Sequence, residues 1–113
     1  MDYKKELKEV MDIAKKIVNK STLKKANKID DLEWRIETLK YAIRNSLKKM
    51  YEGLAKKAKK VEFAKKDTFF VETKLSHLRT RIRLFEITFH KKDFEGLLKY
   101  TREVEKEIKN VAV

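Results

Sequence analysis

Apolar side chains recur along the chain at intervals of three and four residues, which is the period of an amphipathic α-helix. Four segments show this spacing, and each predicts one helix with a single apolar stripe. The stripes are Tyr3, Leu7, Val10, Ala14, Ile17 and Val18; Leu32, Ile36, Leu39, Ile43, Leu47, Met50 and Leu54; Val71, Leu75, Leu78, Ile82, Phe85 and Phe89; and Phe94, Leu97, Leu98, Val104, Ile108 and Val111.

Polar residues between the stripes predict where the helices end. Ser21, Thr22 and the polar run around Asn27 indicate a break or bend after the first helix. Asp30 or Asp31 is suited to cap the second helix, because a carboxylate accepts hydrogen bonds from the free backbone N–H groups there.

The later boundaries follow the same logic. The basic residues between positions 56 and 60 are expected to lead into a connection, and Asp67 or Thr68 to cap the third helix. Residues 90–92, His-Lys-Lys, suit the negative end of that helix, and Asp93 is expected to cap the fourth.

These elements predict an all-α fold, an antiparallel up-down four-helix bundle formed by residues 1–113 as a single domain. The chain has no proline and only two glycines, Gly53 and Gly96, as expected of long helices joined by short connections. The alternative is a three-helix hairpin assembly, whose hydrophobic core is completed by other copies of the chain in an oligomer.

The third helix has apolar residues on a second side. Phe70, Leu84 and Ile87 fall away from the stripe when residues are placed 100° apart. Either the core is wide enough to bury both sides, or this side is a subunit interface in a homo-oligomer.

The second helix has aromatic residues outside its stripe. Trp34 and Tyr41 lie seven residues apart on one row, beside Arg44 and Lys48. Aromatic rings among cations can stack on nucleic-acid bases or on a protein partner. A subunit contact accounts for the two rings equally well.

The chain has 30 basic and 18 acidic residues, a formal net charge of +12. Such an excess favours a polyanionic partner, although a lysine-rich and possibly thermophilic proteome would also produce it. Half of the six arginines are Arg79, Arg81 and Arg83, which could bind phosphate or pair with neighbouring acids. The predicted nucleic-acid-binding residues are Arg44, Lys48, Lys49, Lys56, Lys57, Arg79, Arg81 and Arg83.

No pattern of residues in the sequence indicates a catalytic site. The chain has no cysteine, its two histidines lack metal-ligand spacing, and no catalytic set or glycine-rich phosphate loop is present. We therefore expect no catalytic residues, metal or cofactor. No apolar stretch is long enough to span a membrane, and the start does not have the pattern of a signal peptide, so a cytoplasmic location is expected.

The stretch KLSHLRTRIRLFEITFHKKDFEGLLKYTREVEKEIKN resembles the end of the four-helix-bundle family that includes the accessory variability determinant of diversity-generating retroelements and the proteins encoded in 23S rRNA intervening sequences. The resemblance covers about residues 29–110 of the chain. Its motif positions are Leu75, Leu78, Arg79, Ile82, Arg83 and Leu84, with Val104 and Ile108 in the last helix. The sequence lacks the proline and the terminal glycines and tryptophan common in that family.

The resemblance implies a basic homopentamer that binds a reverse transcriptase and its template RNA. The leading expectation is therefore a non-enzymatic accessory protein that binds RNA, and possibly DNA, with a reverse transcriptase as partner. The alternative is a helical scaffold for protein contacts alone. A helical nuclease ranks third, because the arginine and histidine spacing of such RNases is missing.

Overall fold

A computed structural model describes residues 2–63 and 68–112, which form five α-helices and no strand. The all-α class is therefore confirmed, whereas the prediction of four helices is wrong. The up-down bundle stays a prediction. The helices are α1 Tyr3–Ile17, α2 Lys20–Asn27, α3 Leu32–Phe63, α4 Phe69–Thr88 and α5 Lys91–Ala112.

The additional helix is α2, which occupies the segment where a break was predicted. The chain turns earlier, because Val18 adopts an extended conformation after α1. The Asn19 side chain accepts a 2.8 Å hydrogen bond from the Thr22 N–H group and caps α2. Ser21 and Thr22 therefore lie in its first turn. The short helix was missed because only Ala26, a small residue, is buried along it.

Helix α3 begins at the predicted place and continues beyond Leu54, the last residue of its predicted stripe. Asp31, one of the two predicted caps, accepts a 2.9 Å hydrogen bond from the Trp34 N–H group. The helix then continues through the basic residues 56–60 to Phe63. Leu54, Ala58 and Val61 are buried and extend the apolar stripe through this stretch.

A polar residue lies at the start of α4 and an aromatic residue at its end. Thr68 is the N-cap residue, as predicted, but its side chain makes no capping hydrogen bond to the backbone. Its hydroxyl donates instead to the Glu72 carboxylate at 3.3 Å. The other predicted cap, Asp67, lies outside the described residues. At the far end Phe89 adopts a left-handed conformation with φ of 49°. Its N–H group donates to the Phe85 carbonyl at 2.7 Å and its ring packs against the Phe85 ring, so burial offsets the backbone strain.

Helix α5 starts at Lys91, two residues before the predicted cap. Asp93 therefore lies in the first turn, where its negative charge interacts favourably with the positive end of the helix dipole. It accepts a 2.6 Å hydrogen bond from the Thr88 hydroxyl, which connects it to the end of α4. Lys91 and Lys92 accordingly belong to the start of α5, not to the end of α4.

By its internal contacts the chain divides into two units, Met1–Lys48 and Lys49–Val113. In the first unit, Glu6 of α1 and Lys40 of α3 form a 3.0 Å ion pair. Its buried apolar residues are Val10, Ile13, Ala14, Val18, Ala26, Ile36, Leu39, Ala42, Ile43 and Leu47.

In the second unit α4 and α5 pack as an antiparallel hairpin. Phe85 contacts Phe94 near the connection, with ring centroids 5.4 Å apart, and Lys74 pairs with Glu107 at 3.5 Å near the opposite end. All six residues of the third predicted stripe are buried, as predicted. In α5, Leu98 and Val111 are only half-buried. Thr101 is buried in addition, and its hydroxyl donates to the Leu97 carbonyl at 2.9 Å.

Candidate nucleic-acid interface

The C-terminal half of α3 presents a group of exposed lysines that we call the α3 lysine cluster. Residues 49–63 contain five lysines and two glutamates, and all five lysines are exposed. They are exposed because they lie off the buried stripe of the helix, which Leu54, Ala58 and Val61 continue. The cluster consists of Lys49, Lys56, Lys57, Lys59 and Lys60.

Three members of the cluster form a row along the helix. At 100° per residue, Lys49, Lys56 and Lys60 lie within about 40° of one another. With a rise of 1.5 Å per residue, they are spaced about 10 and 6 Å apart along the axis. Gly53 lies between the first two and adds no side chain to the row. A single polyanionic strand lying along α3 could therefore contact all three ammonium groups.

Residues 49–63 keep a net charge of +3, because only Glu52 and Glu62 accompany the five lysines. Within residues 2–63 and 68–112, no carboxylate oxygen lies within 4.0 Å of the Nζ atoms of these lysines. By contrast, α5 has six basic and five acidic residues along its length. The cluster is thus a local concentration of positive charge that is able to release condensed counterions from a nucleic acid.

A shallow concavity adjoins the cluster on α3. It is lined by Tyr51, Glu52, Ala55, Lys56 and Lys59. Tyr51 is half-buried, so its ring offers an apolar surface next to cationic groups. An aromatic ring beside phosphate-binding cations is the arrangement on which single-stranded bases stack.

The three arginines of α4 do not form one group. Arg81 lies over the Tyr100 ring, with its guanidinium carbon 4.7 Å from the ring centroid. Arg79 and Arg83 are exposed and lie about 160–200° around the helix from Arg81. They are accordingly on the opposite flank, and no single phosphate could bind all three.

The remaining predicted residues belong to the first unit. Trp34 and Tyr41 are 65% and 64% exposed on α3, and Arg44 and Lys48 are exposed as well. Arg44 already takes part in an interaction within the chain. Both rings remain available for a partner, whether a base or a protein.

The apolar residues predicted to form the second side of α4 are exposed, and so they do not contribute to the core of a single chain. Phe70, Leu84 and Ile87 are 65%, 57% and 80% exposed. Phe69, which the sequence analysis did not select, is exposed beside Phe70 with the two rings edge to face, 5.5 Å apart. Its exposure could have been expected, since it lies on the same side as Ile87 at 100° per residue.

Three residues of this surface are absent from the predicted site. Lys59 and Lys60 were expected only to lead into a connection, although helical spacing places Lys60 on the row of Lys49 and Lys56. Tyr51 was overlooked because it lies at the border of the buried stripe, where an aromatic residue is usually part of the core.

Other kinds of site find little support in the described part of the chain. No group of three or more histidine, cysteine or acidic side chains could hold a metal ion within residues 2–63 and 68–112. Over the same residues, no helix is long and apolar enough to cross a membrane. Comparison of the chain with protein-family models, curated proteins and solved structures gave no match.

Proposed function

We propose that this protein binds RNA without catalysing a reaction, and that the α3 lysine cluster contacts the phosphate backbone. The observation that supports the proposal most is the exposure of five lysines within 12 residues, with no carboxylate oxygen of the described residues within 4.0 Å of their Nζ atoms. Ammonium groups bind phosphates as point charges and do not distinguish bases. Sequence preference should therefore be weak.

The finer parts of the proposal rest on the sequence and its resemblance alone. They are a reverse transcriptase as protein partner, a homo-oligomeric assembly, an up-down bundle arrangement of the helices and a cytoplasmic location. If the resemblance holds, the lysine cluster would bind the template RNA beside the polymerase.

Two charge-reversal variants test the proposal. The row variant replaces Lys49, Lys56 and Lys60 by glutamate. The matched control replaces Lys92, Lys99 and Lys106 of α5, which are also exposed, lie within about 40° of one another and change the net charge equally. We expect the row variant to lose most of its affinity for a short single-stranded RNA of mixed sequence, and the control to lose much less.

The comparison separates a local site from the effect of net charge. Equal losses in the two variants would mean that total charge alone governs binding. No detectable binding by the parent chain would leave the protein scaffold as the better account. Cleavage of the labelled RNA would contradict the proposal that the protein is not an enzyme.

A further inference from the structure

The outer face of α4 has an arrangement that neither the core nor RNA binding explains. It has the heptad spacing of a coiled coil, in which contact residues alternate at intervals of three and four. Six exposed residues have this spacing and lie within an arc of about 100°, opposite the buried stripe, and the exposed Phe69 lies at the edge of the same arc. We call these six the α4 outer face: Phe70, Thr73, His77, Thr80, Leu84 and Ile87.

This face contains no lysine, arginine, aspartate or glutamate, although such residues make up 42% of the chain. A solvated helix face in so charged a protein would be expected to contain several. A face without cations offers no contacts to the phosphates of RNA. An acidic protein would instead be attracted to the basic surfaces of the chain. The surface that suits it best is one with the same uncharged heptad pattern.

We propose that the α4 outer face pairs with the same face of a second copy of this chain, in antiparallel orientation about a two-fold axis between His77 and Thr80. A two-fold contact needs a self-complementary surface. In this register Phe70 lies opposite Ile87 of the partner subunit, and Thr73 lies opposite Leu84 of the partner subunit. Large apolar groups therefore pack at both ends, and the small hydroxyl groups and the imidazole meet at the centre.

The positions of the flanking charges select the antiparallel orientation. Arg81 and Arg83 border the face near its C-terminal end, one on each side. A parallel pair would bring four guanidinium groups to one level. The antiparallel pair separates them and places each pair beside residues 74–76 of the partner, where Lys74 is already paired with Glu107.

The first test is the mass of the chain in solution without RNA, so that its outcome is independent of RNA binding. Light scattering should give twice 13.5 kDa. The double variant Leu84→Glu, Ile87→Glu should halve that mass, whereas Arg79→Glu, exposed on another side of the same helix, should leave it unchanged. Helicity should be the same in all three chains, because every altered side chain is exposed.

The second test uses the absence of cysteine to determine orientation. Chains with Thr73→Cys and chains with Leu84→Cys should form a disulfide with each other on oxidation, and neither should form one alone. A parallel pair would do the reverse, because the two positions are about 16 Å apart along one helix. A monomeric parent, a mass other than that of two chains, a double variant of unchanged mass, or cross-linking of either single variant with itself would overturn the proposal.

Discussion

The Arg81 guanidinium lies over the Tyr100 ring and connects the exposed surfaces of α4 and α5, with 4.7 Å between the guanidinium carbon and the ring centroid. At an exposed position such a cation–π contact contributes about 0.5–1 kcal/mol. We expect Arg81→Ala to lower the free energy of unfolding by about that amount, measured by urea denaturation. Arg79→Ala, on the opposite flank, should change it little, and an equal loss would show that the stacking contributes nothing.

The buried leucines of the two units should be costly to truncate. Leu39 in α3 and Leu78 in α4 are both fully buried. Replacing either by alanine should lower the free energy of unfolding by about 2–5 kcal/mol, because a cavity adds to the lost transfer energy. Leu98→Ala is the control, since Leu98 belongs to the predicted stripe of α5 but is only half-buried. A loss at Leu98 as large as at Leu78 would contradict the packing described for α5.

Both glycines lie inside helices, and neither is required by the space around it. A Cβ atom at Gly53 or Gly96 would meet no heavy atom within 4 Å, and neither residue has positive φ. Alanine at either position should therefore raise the free energy of unfolding by about 0.5–1 kcal/mol, because glycine loses more backbone entropy on helix formation. Thermal or urea unfolding would check this. Destabilisation by Gly96→Ala would show that α5 packs more tightly there than described.

The cap of α3 distinguishes two neighbouring aspartates. Asp31 accepts the Trp34 N–H hydrogen bond, whereas Asp30 is exposed and does not cap the helix. Asp31→Ala should cost about 0.5–2 kcal/mol of unfolding free energy, the usual loss for an N-cap. Asp30→Ala removes the same charge without the cap. If the two variants lost equal stability, electrostatic attraction to the helix end would explain the effect, and not the capping bond.

The sequence predicted the helical class and the buried stripes because apolar spacing reports directly on which side of a helix is buried. All six residues of the stripe from Val71 to Phe89 are buried. The end of α3 was missed because four lysines in five residues outweighed Ala58 and Val61, two small residues that continue the core. Helix α2 was missed since its formation depends on the Asn19 cap and on Ala26, neither of which gives a strong apolar pattern.

The candidate site was predictable to a similar extent. Lys49, Lys56 and Lys57 were selected from charge density, and their exposure follows from their place off the stripe. The separation of Arg81 from Arg79 and Arg83 also follows from helical spacing. The stacking of Arg81 on Tyr100 does not follow from helical spacing. It depends on how α5 packs against α4, and spacing within one helix gives no information about that packing.

The most direct test of RNA binding by the α3 lysine cluster is the salt dependence of affinity. The logarithm of the dissociation constant for a single-stranded RNA would be measured against the logarithm of salt concentration. Each lost phosphate contact should reduce the slope by about 0.7–0.9, so the row variant at Lys49, Lys56 and Lys60 should show a slope smaller by about 2 to 3. The α5 control should keep nearly the parent slope. A row variant that bound with the parent's affinity and slope would contradict the proposed site.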